Sequence, residues 1–382
     1  MIYSDNAATS FPKPKSVLEA MSDYFFNMGG NTGRSGHKKA LEASELVFNT
    51  REYLAQLFNI KDSARIVFTK NVTESLNLAL NGFLKKGDQV LTTSVEHNSV
   101  MRPLRYLEQT GTIKLFVVKA NQAGIVDPAA FEDILRKEKI RLIVVSHASN
   151  VTGAVAPIGA IAKIARSYGS HTLIDAAQTA GAYPVDIAAD GVDMLAFTGH
   201  KALLGPQGTG GLYIREGLEI EPLLRGGTGS NSEHEYQPEL MPDKLESGTL
   251  NVIGLAGLGA GVKHVLEQGV TKIRQKEMDL TEHFIRNVAK IPGVRLYGPE
   301  DAGSRVSVVS LNITGCDPAE VAYILDRDFD IACRPGLHCA PSAHKTIGTF
   351  PQGTVRFSFG PFNNMEQINT SLKALAQISH KE

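Results

Sequence analysis

The chain has 382 residues and a mass of 41.2 kDa, beyond the roughly 250–300 residues at which one hydrophobic core stops growing, so two domains are expected. Hydrophobic residues make up 42% and charged residues 21%, which excludes an intrinsically disordered chain and suits a globular protein with a sizeable core. Lys and Arg number 39 against 40 Asp and Glu, a formal net charge of -1, so no global field gathers nucleic acid or anionic lipid, and neither is an expected partner.

The opening MIYSDNAATS carries an early acid and no basic flank running into an apolar stretch. It does not read as a signal peptide, and the cytoplasm is the expected location. No segment approaches the roughly 20 continuous apolar residues of a membrane-spanning helix. Residues 1–15 are expected to pack back onto a small domain, 16–250 to form a large α/β domain, and 251–382 to supply a connecting helix and a smaller α+β unit.

From about residue 65 to 215, short β-branched runs alternate with amphipathic stretches, as strands feeding crossover helices do. The runs are 65–69, 89–94, 114–118, 141–148, 171–177, 193–199 and 210–214. Several are apolar on consecutive positions, as in parallel strands buried on both faces. Helical stretches are expected at 73–83, 98–109, 127–137 and 158–168, giving a doubly wound core with a mainly parallel seven-stranded sheet. Residues 216–250 shift to Gly, Ser, Glu and Pro without periodicity and read as a long, functional loop. One long helix is expected over 252–289, stopped by Pro292-Gly293. Beyond it, strands are expected at 306–313, 331–334 and 355–359, with helices near 317–327 and 363–379.

Lys201 follows a buried strand in Thr198-Gly199-His200-Lys201, where open α/β sheets place ligands. A desolvated amine there can form a Schiff base, although a lone lysine reads more readily as a surface loop residue. It is not alone. Asp175 ends the preceding strand, and a buried acid wants a cationic partner such as the protonated ring nitrogen of pyridoxal phosphate. Gln178, three residues on, can reach the phenolic oxygen of that ring. Thr73 opens a helix whose N-terminus suits a phosphate, or is simply capped. His97 stands at another strand end, able to stack on a ring or shuttle a proton.

The three cysteines, Cys316, Cys333 and Cys339, form no CxxC pair, so a reduced thiol is expected. Cys339 lies in Arg334-Pro335-Gly336-Leu337-His338-Cys339, where neighbouring positive charge favours the thiolate; a buried structural cysteine is the plainer alternative. Arg356 sits in a strand, and its planar fork suits the carboxylate of an amino acid. His344 alone falls near metal-ligand spacing with His338 and Cys339, so no metal is expected.

Together these segments resemble the fold-type I pyridoxal-phosphate enzymes of the class V aminotransferase group, and within it the cysteine desulfurases and selenocysteine lyases. The likeness runs through SDNAATS (4–10), TKNVTESLNLAL (69–80), SVEHNSV (94–100), SHASNVTGAVAPI (146–158), DAAQTAG (175–181), FTGHKALLGPQGTGGLYI (197–214), ESGTLNVIGLAGLGAG (246–261), RPGLHCAP (334–341) and VRFSFGPFNN (355–364). It implies that Lys201 carries the cofactor as a Schiff base, Asp175 partners the ring nitrogen, His97 stacks on the ring and Gln178 holds the phenolic oxygen. Thr73, Thr198 and His200 would bind the phosphate, and Asn150 would lie beside the ring and the substrate. Thr249 would complete the phosphate site of a neighbouring subunit, making the active unit a homodimer. Arg356 would bind the substrate carboxylate, with Arg34 and His37 in a basic segment at the mouth of the site. Asn71-Val72 stands where many relatives have Gly-Thr, which shifts part of the phosphate site toward backbone.

By the same resemblance Cys339 is the persulfide-forming cysteine, on the short loop of the sulfur-mobilising subgroup. The implied reaction converts L-cysteine to L-alanine, leaving sulfur on Cys339 for an acceptor protein. The alternatives are action on L-selenocysteine and another class V aminotransferase or lyase activity. A dinucleotide-binding protein gains little from Gly208-Thr209-Gly210-Gly211, which lacks the strand-to-helix glycine pattern and the downstream acid.

Overall fold

The structure is a computed structural model describing residues 1–32, 36–230 and 233–380. The N-terminal strand β1 (Ile2–Tyr3) is followed by seven strands that share one sheet. They are β2 (Ile66–Thr69), β3 (Asp88–Thr93), β4 (Ile113–Val118), β5 (Ile140–Ser146), β6 (His171–Asp175), β7 (Met194–Thr198) and β8 (Gly210–Ile214). Their spatial order is β2-β8-β7-β6-β5-β3-β4, and only β8 runs against its neighbours. This is the mainly parallel seven-stranded sheet expected from the sequence.

Consecutive apolar residues are explained by burial on both faces. Leu142 and Val144 of β5 join one core with Val90, Leu173 and Met194. Ile143 and Val145 point the other way, into a second core with Leu91, Ile174 and Leu195. The chain leaves β3 outward to β4, then returns across β3 to β5 and continues to β6 and β7. The direction of winding therefore reverses between β3 and β5, the crevice where open α/β sheets bind ligands at strand carboxyl ends.

The segment 216–250 contains no helix or strand among its described residues, as expected. It is held by Glu246, whose carboxylate takes two bonds from Arg51, at 2.8 and 3.0 Å, and one from the Phe68 N–H at 2.6 Å. A buried pair satisfied this fully fixes the loop against the sheet edge.

The expected helix over 252–289 is two helices, Val252–Gln268 and Val270–Val288, parted at Gly269. Gly269 has φ +80°, which ends one helix and starts the next, and hydrophobic periodicity does not register such a break. Beyond it, β9 (Val294–Tyr297), β10 (Val308–Ile313), β11 (Ile331–Ala332), β12 (Arg334–Gly336) and β13 (Thr354–Ser358) complete the strands. Four form an antiparallel sheet in the order β12-β13-β10-β9. The run 331–334 is thus divided: β11 pairs in parallel with β1, and β12 pairs with β13. The partner of the N-terminal strand thus lies far away in sequence. The helices Lys15–Asp23, Lys38–Phe58 and Pro341–Ile347 and the strand β9 are further elements, beyond those expected from the sequence pattern.

No helix among the described residues is long and apolar enough to cross a membrane.

Candidate active site

The carboxyl ends of β3, β5, β6 and β7 deliver the expected residues to one crevice. Asp175, the last residue of β6, is 4% exposed and accepts a hydrogen bond from the Ala177 N–H at 2.9 Å. Burial pushes its carboxyl up, opposed by that bond and by the charge of Lys201. A cationic ring atom against it would restore its ordinary acidity.

Lys201 follows β7. Burial pulls its amine from the usual 10.5 to about 8; Asp175 and Asp5 oppose this while Arg356 and Arg334 reinforce it. At pH 8 a substantial fraction is then neutral and nucleophilic. Modification of the apoprotein by a small aldehyde, trapped by reduction and located by peptide mass, is expected to rise at Lys201 with a midpoint near pH 8. A midpoint near 10.5 would show that the amine is solvated.

His97 caps the helix Asn98–Gln109, its Nδ1 accepting from the Ser99 N–H at 3.0 Å and lying 2.7 Å from Ser99 Oγ. Ser99 Oγ in turn lies 3.0 Å from Thr73 Oγ1, so the His97 imidazole and the helix at Val72–Phe83 are joined through one hydroxyl. Burial, then Lys201, then the nearby arginines hold His97 at about 4, which leaves a neutral ring at pH 7. Asn71 caps the second helix by accepting from the Glu74 N–H at 3.0 Å, leaving earlier N–H groups of that turn for an anion.

At the end of β7, two buried polar atoms lack partners: Thr198 Oγ1 and His200 Nδ1. Burial, Lys201 and Lys13 hold His200 at about 4, so its ring is neutral. Its carbonyl is bound by the Ser10 N–H and Lys13 Nζ, both at 3.1 Å. Gln178 donates to Ala7 O at 3.1 Å and shares a small cavity with Lys201 and Asn6. These unpartnered polar atoms, the buried acid and the amine with a lowered pKa fit pyridoxal phosphate.

Asn150 donates to His338 O at 2.7 Å, and its own carbonyl accepts from Arg356 Nη1 at 3.0 Å. Arg356 is 1% exposed; Nη2 binds Asp5 Oδ1 at 2.7 Å and Nε has no partner. Asp5 lies in the opening SDNAATS motif, but nothing local to it signals a partner 351 positions away. Cys339 is exposed, and its carbonyl accepts from the Asn98 N–H at 2.8 Å. The thiol loop therefore rests on the turn that carries His97. Cys316 and Cys333 pack against the small-domain core, and burial pushes the Cys333 thiol to about 12.

Thr249 lies apart from this crevice, in a cleft of about 180 Å³ with Thr69, Glu74, Leu223 and Leu224. His37 caps the helix Lys38–Phe58, accepting from the Ala40 N–H at 3.2 Å. Arg34 lies outside the described residues. Among those described, no three His, Cys, Asp or Glu side chains converge as a metal site.

The pattern that defines the aminotransferase class-V family matches residues 2–370. A probable cysteine desulfurase of Methanothermobacter thermautotrophicus is 39% identical, over 99% of this chain and 94% of its own. Another, from Pyrococcus abyssi, is 34% identical over 99% and 94%. Among solved structures, the apo cysteine desulfurase of Thermococcus onnurineus NA1 superposes with a TM-score of 0.94 at 34% identity, covering 100% of this chain and 95% of that one. The cysteine desulfurase CsdA of Escherichia coli gives 0.88 at 28% identity, covering 98% and 94%.

Proposed function

The chain belongs to the aminotransferase class-V family, and we propose that it is a pyridoxal-phosphate-dependent cysteine desulfurase that converts L-cysteine to L-alanine and leaves the sulfur on Cys339 as a persulfide. The observation that carries this reading is the approach of the Cys339 loop to the turn of His97, through Asn98, at the crevice that also holds Asp175 and Lys201.

When bound, pyridoxal phosphate supplies an electron sink beside the substrate α-carbon. Lys201 would hold it, Asp175 would face its ring nitrogen, and Thr73, Thr198 and His200 would hold its phosphate. Arg356, with Nε unpartnered, takes the substrate carboxylate. Neutral Lys201 accepts the α-proton. The Cys339 thiolate attacks the substrate sulfur: the S–S bond forms, the Cβ–S bond breaks with its electron pair on carbon, and proton delivery completes alanine. The sum is L-cysteine plus Cys339 thiol giving L-alanine plus Cys339 persulfide, with no outside oxidant. An acceptor protein or a small thiol then removes the outer sulfur.

The active unit on this reading is a homodimer, supported by the apolar cleft at Thr249, where Leu223 and Leu224 stand exposed. Residues 1–15 and 251–382 are read as the second unit beside 16–250, joined to it by the helix Val252–Gln268, whose Val252, Leu255, Leu258 and Val262 lie in the core of the large sheet. The purified protein should show the absorbance of bound cofactor and release alanine and sulfide in equal amounts from L-cysteine with a thiol reductant. Bound cofactor without either product would remove the desulfurase reading and keep the family.

A further inference from the structure

Glu96 takes no part in the chemistry above, yet it is a fully buried carboxyl at the reversal of winding between β3 and β5. The two strands pair only from Gln89 to Leu91 on one side and Ile140 to Ile143 on the other, and their carboxyl ends then part. Glu96 fills the split. Its Oε1 accepts from Thr93 Oγ1 at 2.6 Å, and its Oε2 accepts from the Ser146 N–H at 2.9 Å and from Ser146 Oγ at 2.6 Å. Ser146 stands in register with Asp175. His97 is the next residue in the chain, Asn98 N–H holds Cys339 O, and Ser94 on the same turn receives the Thr346 hydroxyl of the helix Pro341–Ile347.

We propose that Glu96 is a positioning residue: it ties the turn 94–98, which carries the imidazole of His97 and supports the loop of Cys339, to the end of β5 beside Asp175. The inference rests on the pyridoxal-phosphate reading for its consequences in catalysis, but the bridge itself belongs to the apoprotein. A carboxyl chosen only for packing would not need three donors converging from two strands, and an apolar side chain there would strand the Ser146 N–H.

The titratable groups around Glu96 are Asp175 at the end of β6, whose charge opposes its ionisation, His97 on its own turn, and His147 beside Ser146, both imidazoles being neutral at pH 7. Burial raises Glu96 to about 7. With the folded value above the ordinary carboxyl value, the folded state binds more protons between about 4.5 and 7, so this group's stabilisation falls as pH rises through that window.

The test compares wild type, Glu96→Gln and Glu96→Ala. Each is prepared as apoprotein for thermal melts from pH 5 to 8, then titrated with pyridoxal phosphate and assayed for alanine. Glu96→Gln is isosteric and keeps hydrogen-bonding capacity. It should retain cofactor affinity within about threefold, while its melting temperature loses the decline that wild type shows between pH 5 and 7. Glu96→Ala should bind the cofactor at least about tenfold more weakly and lose alanine production beyond what restored occupancy recovers, because both His97 and Cys339 lose their support. If folded Glu96→Ala binds cofactor and turns over like wild type, or if Glu96→Gln fails to rescue affinity, the positioning role is wrong. Failure of wild type to bind cofactor would instead overturn the function above, and the apoprotein melts would still decide the bridge.

Discussion

Lys201→Ala is expected to yield a folded protein that makes alanine from L-cysteine about 10³-fold more slowly than wild type, or not at all, the scale of losing what the proposed function makes both general base and covalent anchor. Stability should hold or rise. The Lys201 amine is pulled to about 8 by burial against the usual 10.5, so the unfolded chain binds its proton more tightly than the native state. The cost is full below pH 8 and disappears as pH rises toward 10.5, and removing the amine removes it. Melting temperature at pH 7 and initial alanine rate, measured on one preparation, separate this outcome from unfolding. A lowered melting temperature with the rate preserved would show that the amine is structural, and Asp175 would then need another cation.

The large sheet was legible because its signal is local. Runs such as 141–148 are apolar on consecutive residues, and only burial on both faces of β5 permits that. The break at Gly269 was not legible, because the apolar periodicity runs through it and only the φ of +80° shows the change of direction. The same divide separates the site residues. Lys201, Asp175 and His97 each stand at a strand end, a position that sequence reveals. Asp5 and Glu96 act through partners 351 and 50 positions away, at Arg356 and Ser146, and no spacing rule encodes such pairs. Arg356 illustrates the limit: a charge in a strand called for a carboxylate, and the structure supplies one from Asp5 on Nη2 while leaving Nε without a partner.

Cys339→Ala should keep the cofactor and lose alanine production from L-cysteine by about 10²-fold or more, the scale set by removing a positioned reacting group. The loop should survive the change because backbone atoms hold it. Asn150 Nδ2 binds His338 O at 2.7 Å and the Asn98 N–H binds Cys339 O at 2.8 Å, and neither bond uses the thiol. His338 and Cys339 both adopt left-handed backbone, with φ +48° and +57°. Such conformations cost non-glycine residues roughly 1 kcal/mol or more each and persist where surrounding contacts impose them. The left-handed backbone thus sits at the residue whose carbonyl is held by the His97 turn, with the thiol exposed. L-selenocysteine then separates attack by the thiol from release of the chalcogen: a selenol is more acidic than a thiol and departs more readily, so it needs less help from an attacking thiolate. Cys339→Ala should therefore retain activity on L-selenocysteine within about tenfold of wild type while failing on L-cysteine. Equal loss on both substrates would mean that Cys339 holds the pocket in shape, and equal retention on both would mean that sulfur leaves without it.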